Sequence, residues 1–79
     1  MAEPILFYWP PCSRCKVVTD FADENHIELD KRDVEQQEPY DQLLELGGDS
    51  NKIPYLFDED RLIQGEDNVV HYLKEKYLM

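Results

Sequence analysis

Cysteine, histidine and positive charge are all scarce in this chain of 79 residues, and each shortage excludes something. The two cysteines, Cys12 and Cys15, stand three positions apart. A ring that small stabilises a fold by only about 2 kcal/mol, so a purely structural bridge is a poor use of the pair. The two histidines, His26 and His71, match no finger or ribbon spacing, which leaves a zinc site two ligands short. Eight basic against eighteen acidic side chains leave a net charge of −10, a field that repels nucleic acid and anionic membranes. It favours basic protein partners instead. No run approaches the ~20 apolar residues of a membrane span. The opening MAEPILFYWPP has neither the basic region nor the apolar run of an export signal. With so few cysteines, this predicts a cytoplasmic protein. Repeats, linkers and low-complexity tracts are missing too, and the length suits one small domain, residues 1–79.

What is present has a clear order. The apolar run at 4–8, PILFY, reads as a strand buried on both faces, and Trp9-Pro10-Pro11 ends it because proline cannot donate to a ladder. From Cys12 the period changes: Cys15, Val18, Phe21 and Ala22 share one face of a helix that Asn25 is placed to cap. Residues 27–34 alternate and predict a second, more exposed strand. Glu38-Pro39 opens a second helix with an apolar stripe of Tyr40, Leu43 and Leu44, ended by Gly47-Gly48. DSNK is a loop. Residues 53–57 and 61–64 predict two strands about a DED turn, too close for a crossover and therefore antiparallel. After Gly65, a final helix carries Val69, Val70, Leu73 and Tyr77 at helical spacing. The prediction is an α/β fold of order β-α-β-α-β-β-α: a four-stranded mixed sheet covered by three helices, with a right-handed parallel first unit.

Cys12 falls where a buried strand ends and a helix begins. Unpaired N–H groups and the helix dipole favour a thiolate there, with Arg14 and Lys16 close in sequence. A lower pKa brings little gain in attack, because intrinsic nucleophilicity falls as the thiolate fraction rises. It does make the sulfur a better leaving group from a mixed disulfide. Cys15, one turn on, is the natural partner, although helical Cβ spacing of about 5–6 Å exceeds what a disulfide prefers. A zinc half-site and two inert core thiols are the competing readings. The strand–Pro–Pro–helix setting favours a redox dithiol, with Cys12 the exposed nucleophile and Cys15 the buried resolving thiol. Pro54 heads an apolar strand. Chain order alone is compatible with a trans edge proline, the commoner state, or with a cis proline facing the cysteines. Tyr8 and Trp9 read as packing and rim residues, Tyr40, Tyr72 and Tyr77 as core or boundary, and both histidines as surface.

Three stretches, FYWPPCSRC, KIPYLF and GEDNVVHYL, together resemble a glutaredoxin of the thioredoxin superfamily, over nearly the whole chain and in order. The resemblance implies the thioredoxin-like fold and a cis Pro54. It implies glutathione as reductant, with Ile53 pairing its backbone to the cysteinyl part, Asp67 and Asn68 holding the γ-glutamyl end, and Arg14 and Lys52 near the glycyl carboxylate. The implied activity is dithiol reduction of protein disulfides or glutathione mixed disulfides by a monomer, with thioredoxin reductase as the other possible electron donor and no metal. An iron–sulfur cluster carrier using Cys12 and glutathione, and a non-catalytic interaction module, are the alternatives. Departures from the common pattern are Ser13-Arg14 between the cysteines, Trp9-Pro10-Pro11 before them, Lys52, and Gln64-Gly65. The last helix also resembles that of the glutathione transferase N-terminal domain, an enzyme class that needs a following helical domain.

Overall fold

A computed structural model describes residues 3–78; positions 1, 2 and 79, the ends of the predicted domain, lie outside the described residues. The elements run β1 (Ile5–Tyr8), α1 (Ser13–Glu24), β2 (Asp30–Asp33), α2 (Gln37–Glu45), a 3-10 turn (Ser50–Lys52), β3 (Tyr55–Asp58), β4 (Arg61–Gln64) and α3 (Glu66–Tyr77). They form one sheet of order β2-β1-β3-β4, with β1 and β2 parallel and the other pairs antiparallel. This is the predicted order and architecture. The DSNK loop contains the 3-10 turn, capped by Asp49, whose side chain accepts from the Asn51 N–H at 2.9 Å.

β2 is shorter than predicted. Ile27 is buried and Leu29 half-buried, as the alternation required, but pairing starts only at Asp30. The limit is set by the partner strand: the Asp30 N–H donates to the Pro4 carbonyl at 2.8 Å, and Pro4 has no N–H to extend the ladder. β3 likewise starts two residues later than predicted, after Pro54. Glu59 and Asp60 turn the β3–β4 hairpin with φ of 50° and 62°, the left-handed pair of a two-residue turn.

Both early helices end in Schellman motifs. In α1 the Ile27 N–H reaches the Ala22 carbonyl at 2.8 Å and the His26 N–H that of Asp23 at 3.3 Å. Asn25 is the cap residue, as predicted, but the left-handed residue is His26, at φ 55°. In α2 the same bonds run from Gly48 to Leu43 and from Gly47 to Leu44. A Cβ on Gly48 would stand 2.3 Å from Leu43 Cδ1, so a side chain here would have to displace that buried leucine.

β1 divides the core. Leu6 joins Val18, Ala22, Leu56, Val69 and Leu73 beneath α1 and α3, whereas Phe7 joins Cys15, Val34, Leu43, Ile53 and Tyr55 on the side of α2. A strand lying between two helical layers must be apolar at every position, which is why PILFY carries no alternation. Tyr77 departs from the predicted boundary stripe and is exposed.

Candidate functional site

β1 delivers the chain to one end of the sheet, and α1 starts there. Cys12 is the N-cap of α1: its backbone is extended (φ −77°, ψ 122°), its N–H donates to the Trp9 carbonyl at 2.9 Å, and its carbonyl accepts the Lys16 N–H at 3.1 Å. No acidic residue stands in the first turn of α1. Cys12 is partly exposed and Cys15 is 1% exposed; both are free thiols.

The two sulfurs are displaced in opposite directions. Burial alone would raise the Cys12 pKa. The Cys15 N–H and thiol, the Arg14 N–H and the Arg14 charge outweigh it, so Cys12 lies below its usual 9.0. Burial pushes Cys15 up to about 12; a 3.4 Å hydrogen bond from the Trp9 N–H works against this, while its partner Cys12 and the Glu66 carboxylate add to it. The partly exposed sulfur is the one shifted toward thiolate, and the buried one holds its proton at neutral pH.

Ile53-Pro54 is a cis peptide, and Pro54 is fully buried. Two hydrogen bonds join this loop to the start of α3: Gly65 N–H to the Pro54 carbonyl at 3.0 Å and Gln64 Nε2 to the Lys52 carbonyl at 3.1 Å. The antiparallel register brings them there, since Tyr55 pairs with both Phe7 and Gln64. The end of β1, the start of β3 and the end of β4 thus meet at one edge.

An open groove of about 390 Å³ runs along that edge, lined by Trp9, Cys12, Ser13, Arg14, Asn51 and Ile53. Of the residues singled out from the sequence, Cys12, Arg14 and Ile53 come together there. Cys15 and Pro54 lie buried nearby. Lys52, Asp67 and Asn68 are exposed and do not line the groove. Asn68 uses one of its two side-chain amide N–H groups locally, donating to the Gln64 carbonyl at 2.9 Å. Asn51 was missed; it reaches the groove because the 3-10 turn before Ile53 carries it there. Trp9, expected as a rim residue, borders the groove, and its indole Nε1 donates to Glu35 on the β2–α2 connection.

No family model and no curated protein matches the sequence. Solved structures match in fold. Reduced Escherichia coli glutaredoxin superposes with a TM-score of 0.70 at 16% identity, covering 99% of this chain and 100% of its own. Glutaredoxin 1 of Francisella tularensis, complexed with cacodylate, gives 0.67 at 18% identity over 96% and 95%. A glutathione S-transferase from the Antarctic clam Laternula elliptica gives 0.69 at 23% identity over 98% of this chain, which spans 36% of the transferase. At these identities the likeness carries the fold: the chain has the thioredoxin-like fold of the glutaredoxins.

Proposed function

We propose that the protein is a dithiol thiol–disulfide oxidoreductase that uses Cys12 and Cys15 to reduce protein disulfides or glutathione mixed disulfides. The observation that carries this reading is geometric: Cys12 caps the start of α1 and lines an open groove beside Arg14, with Cys15 buried one turn behind it, and the opposite pKa directions of the two sulfurs agree with it. A pair that differs this way divides the labour of exchange: one sulfur attacks and leaves at neutral pH, and the other stays protonated until it is needed.

The steps balance as follows. The Cys12 thiolate attacks one sulfur of a disulfide R–S–S–R′, forming a Cys12–S–S–R bond and expelling R′–S⁻, which takes up a proton. Cys15 then gives up its proton and attacks the Cys12 sulfur, and R–S⁻ leaves and is protonated. The substrate gains two electrons and two protons, and the protein is left with a Cys12–Cys15 disulfide. Two glutathione thiols, becoming glutathione disulfide, or the dithiol of a thioredoxin reductase, restore it.

In this reading Arg14 draws the glycyl carboxylate of glutathione into the groove and Ile53 offers its backbone to the cysteinyl part. Lys52, Asp67 and Asn68 take part if the tripeptide extends from the groove along the junction that Gly65 and Gln64 make with the cis-proline loop. Asp67 would then hold the α-amino group, and Asn68 would offer its side-chain oxygen and its second amide N–H, the first being bound to the Gln64 carbonyl. The protein is expected to work as a cytoplasmic monomer.

The test compares reduction of a glutathionylated substrate with reduction of insulin, driven in turn by glutathione and by thioredoxin reductase. Cys12→Ser is expected to lose about 10³-fold or more in both assays. Activity that survives it sinks the mechanism. Cys15→Ser is expected to lose insulin reduction; full retention there would remove Cys15 from the dithiol route.

A further inference from the structure

Trp9 is the chain's sole tryptophan, and it is held from three directions. Its N–H donates to Cys15 Sγ at 3.4 Å, its carbonyl accepts the Cys12 N–H at 2.9 Å, and its indole Nε1 donates to the Glu35 carboxylate. Glu35 is itself placed. The Val34 N–H donates to the Tyr8 carbonyl at 2.9 Å, carrying the β1–β2 pairing one residue past the strands. The Glu35 N–H donates to Asp33 Oδ1 at 2.9 Å. The residue after β1 and the residue after Val34 therefore lie side by side, Trp9 lining the groove and Glu35 behind its indole nitrogen.

Trp9 lines the groove and the indole's one polar atom is bound, so what the side chain has left for a ligand is its π surface, with a carboxylate at the Nε1 edge. Trp9 is 38% exposed, and Glu35 is exposed. A carboxylate can accept more hydrogen bonds than the one Nε1 supplies. An indole beside an anion, on a chain of net charge −10, suits a cationic side chain through cation–π attraction and charge together, set against the repulsion of Arg14, which lines the same groove.

We propose that Trp9 and Glu35 form a specificity subsite for a basic residue, arginine or lysine, flanking the half-cystine that Cys12 attacks. This rests on the oxidoreductase reading above and narrows its substrates to polypeptides with a positive charge beside the disulfide. Trp9 touches the substrate side chain. Glu35 orients the indole and also supplies the counter-charge.

The test uses three short peptide disulfides that differ only in the flanking residue: arginine, phenylalanine or glycine. The wild-type protein is expected to prefer arginine over glycine by roughly five-fold in kcat/KM, mostly through KM, with phenylalanine between them. Added salt should narrow the arginine–phenylalanine gap. Glu35→Gln leaves an oxygen to accept from Nε1, so Trp9 emission and the phenylalanine–glycine order should stay while the arginine advantage falls. Trp9→Ala should make phenylalanine and glycine equal and leave arginine only the smaller, salt-sensitive advantage that the Glu35 charge supplies. Tyr77→Ala, at the far end of the molecule, should keep the wild-type order.

A wild-type protein that reduces phenylalanine as well as arginine assigns the subsite to apolar side chains and overturns the proposal. So does an arginine preference that Trp9→Ala leaves undiminished, or one that survives Glu35→Gln with its salt dependence intact. Equal rates on all three peptides overturn this inference alone. Failure to reduce any of them, with the protein folded by far-UV circular dichroism, overturns the oxidoreductase reading beneath it.

Discussion

At one end of the sheet, where β1 runs into α1, a thiol faces an open groove with a guanidinium beside it. At the other, where β3 turns into β4, Asp58 is 7% exposed and fully engaged, accepting from the Tyr72 hydroxyl at 2.7 Å and from the Lys76 ammonium. Burial alone would raise the Asp58 pKa, yet those two donors hold it below its usual 3.8. Each end contains a group shifted toward its anion, but only one of the anions is available. Cys12 has partial charges around it and space in front of it; Asp58 has a full counter-charge and α3 across it. Availability, more than the sign of a shift, separates a reactive group from a fastener.

Three measurements would sharpen or break that contrast. The largest effect is expected between the two thiols. Alkylation with iodoacetamide at pH 7–8, followed by mass spectrometry, should modify Cys12 faster than Cys15 by orders of magnitude. The Cys12 rate should reach its plateau below the usual thiol range. Cys15 should also destabilise the fold in alkali. Its folded-state pKa is raised to about 12, so its contribution is intact below the unfolded value near 9.0 and is lost as the pH climbs between the two. Equal labelling of both cysteines in the folded protein would erase the distinction.

The next effect belongs to the other end. Asp58→Ala leaves the Tyr72 hydroxyl and the Lys76 ammonium without their acceptor and should cost about 1–3 kcal/mol in urea unfolding. Turnover per folded molecule should not change. The wild-type fold should also lose stability on acidification: the Asp58 carboxyl is lowered in the folded state, so its contribution is complete above pH 3.8 and fades as the pH falls further. Asp58→Asn should flatten that slope. A large fall in activity at full folding would mean that the two ends communicate.

The smallest effect is in the hairpin turn. Asp60 has φ 62°, so Asp60→Gly should raise stability by about 0.5–1 kcal/mol and leave thiol chemistry untouched.

Most of the fold and part of the site were legible before any coordinates. The unbroken apolar PILFY announced a strand covered on both faces, and the change of period at Cys12 announced the helix that caps it. Both are local signals, and both cysteines fall within them. The extent of β2 was not legible, because residues 27–29 have the right alternation but pairing is limited by Pro4 on another strand. The Trp9–Glu35 bond joins residues 26 apart and has no local trace. Asn51 looked like ordinary loop because a 3-10 turn leaves little periodic signal. Lys52, Asp67 and Asn68 follow from the family resemblance, which does not fix where exposed side chains point.

The sheet has one more asymmetry, in its borders. β2, at one edge, reads Asp30-Lys31-Arg32-Asp33, a charge at every position, with Arg32 bound to Asp30 at 2.8 Å. β4, at the other, carries a single charge, Arg61, beside Leu62, Ile63 and Gln64. Charged strands make poor templates for a foreign strand. In a concentrated solution the two borders therefore do not compete as sites of strand-to-strand aggregation. That hazard lies with β4, whose Leu62 and Ile63 pack against the core and leave the strand with one charge to guard it.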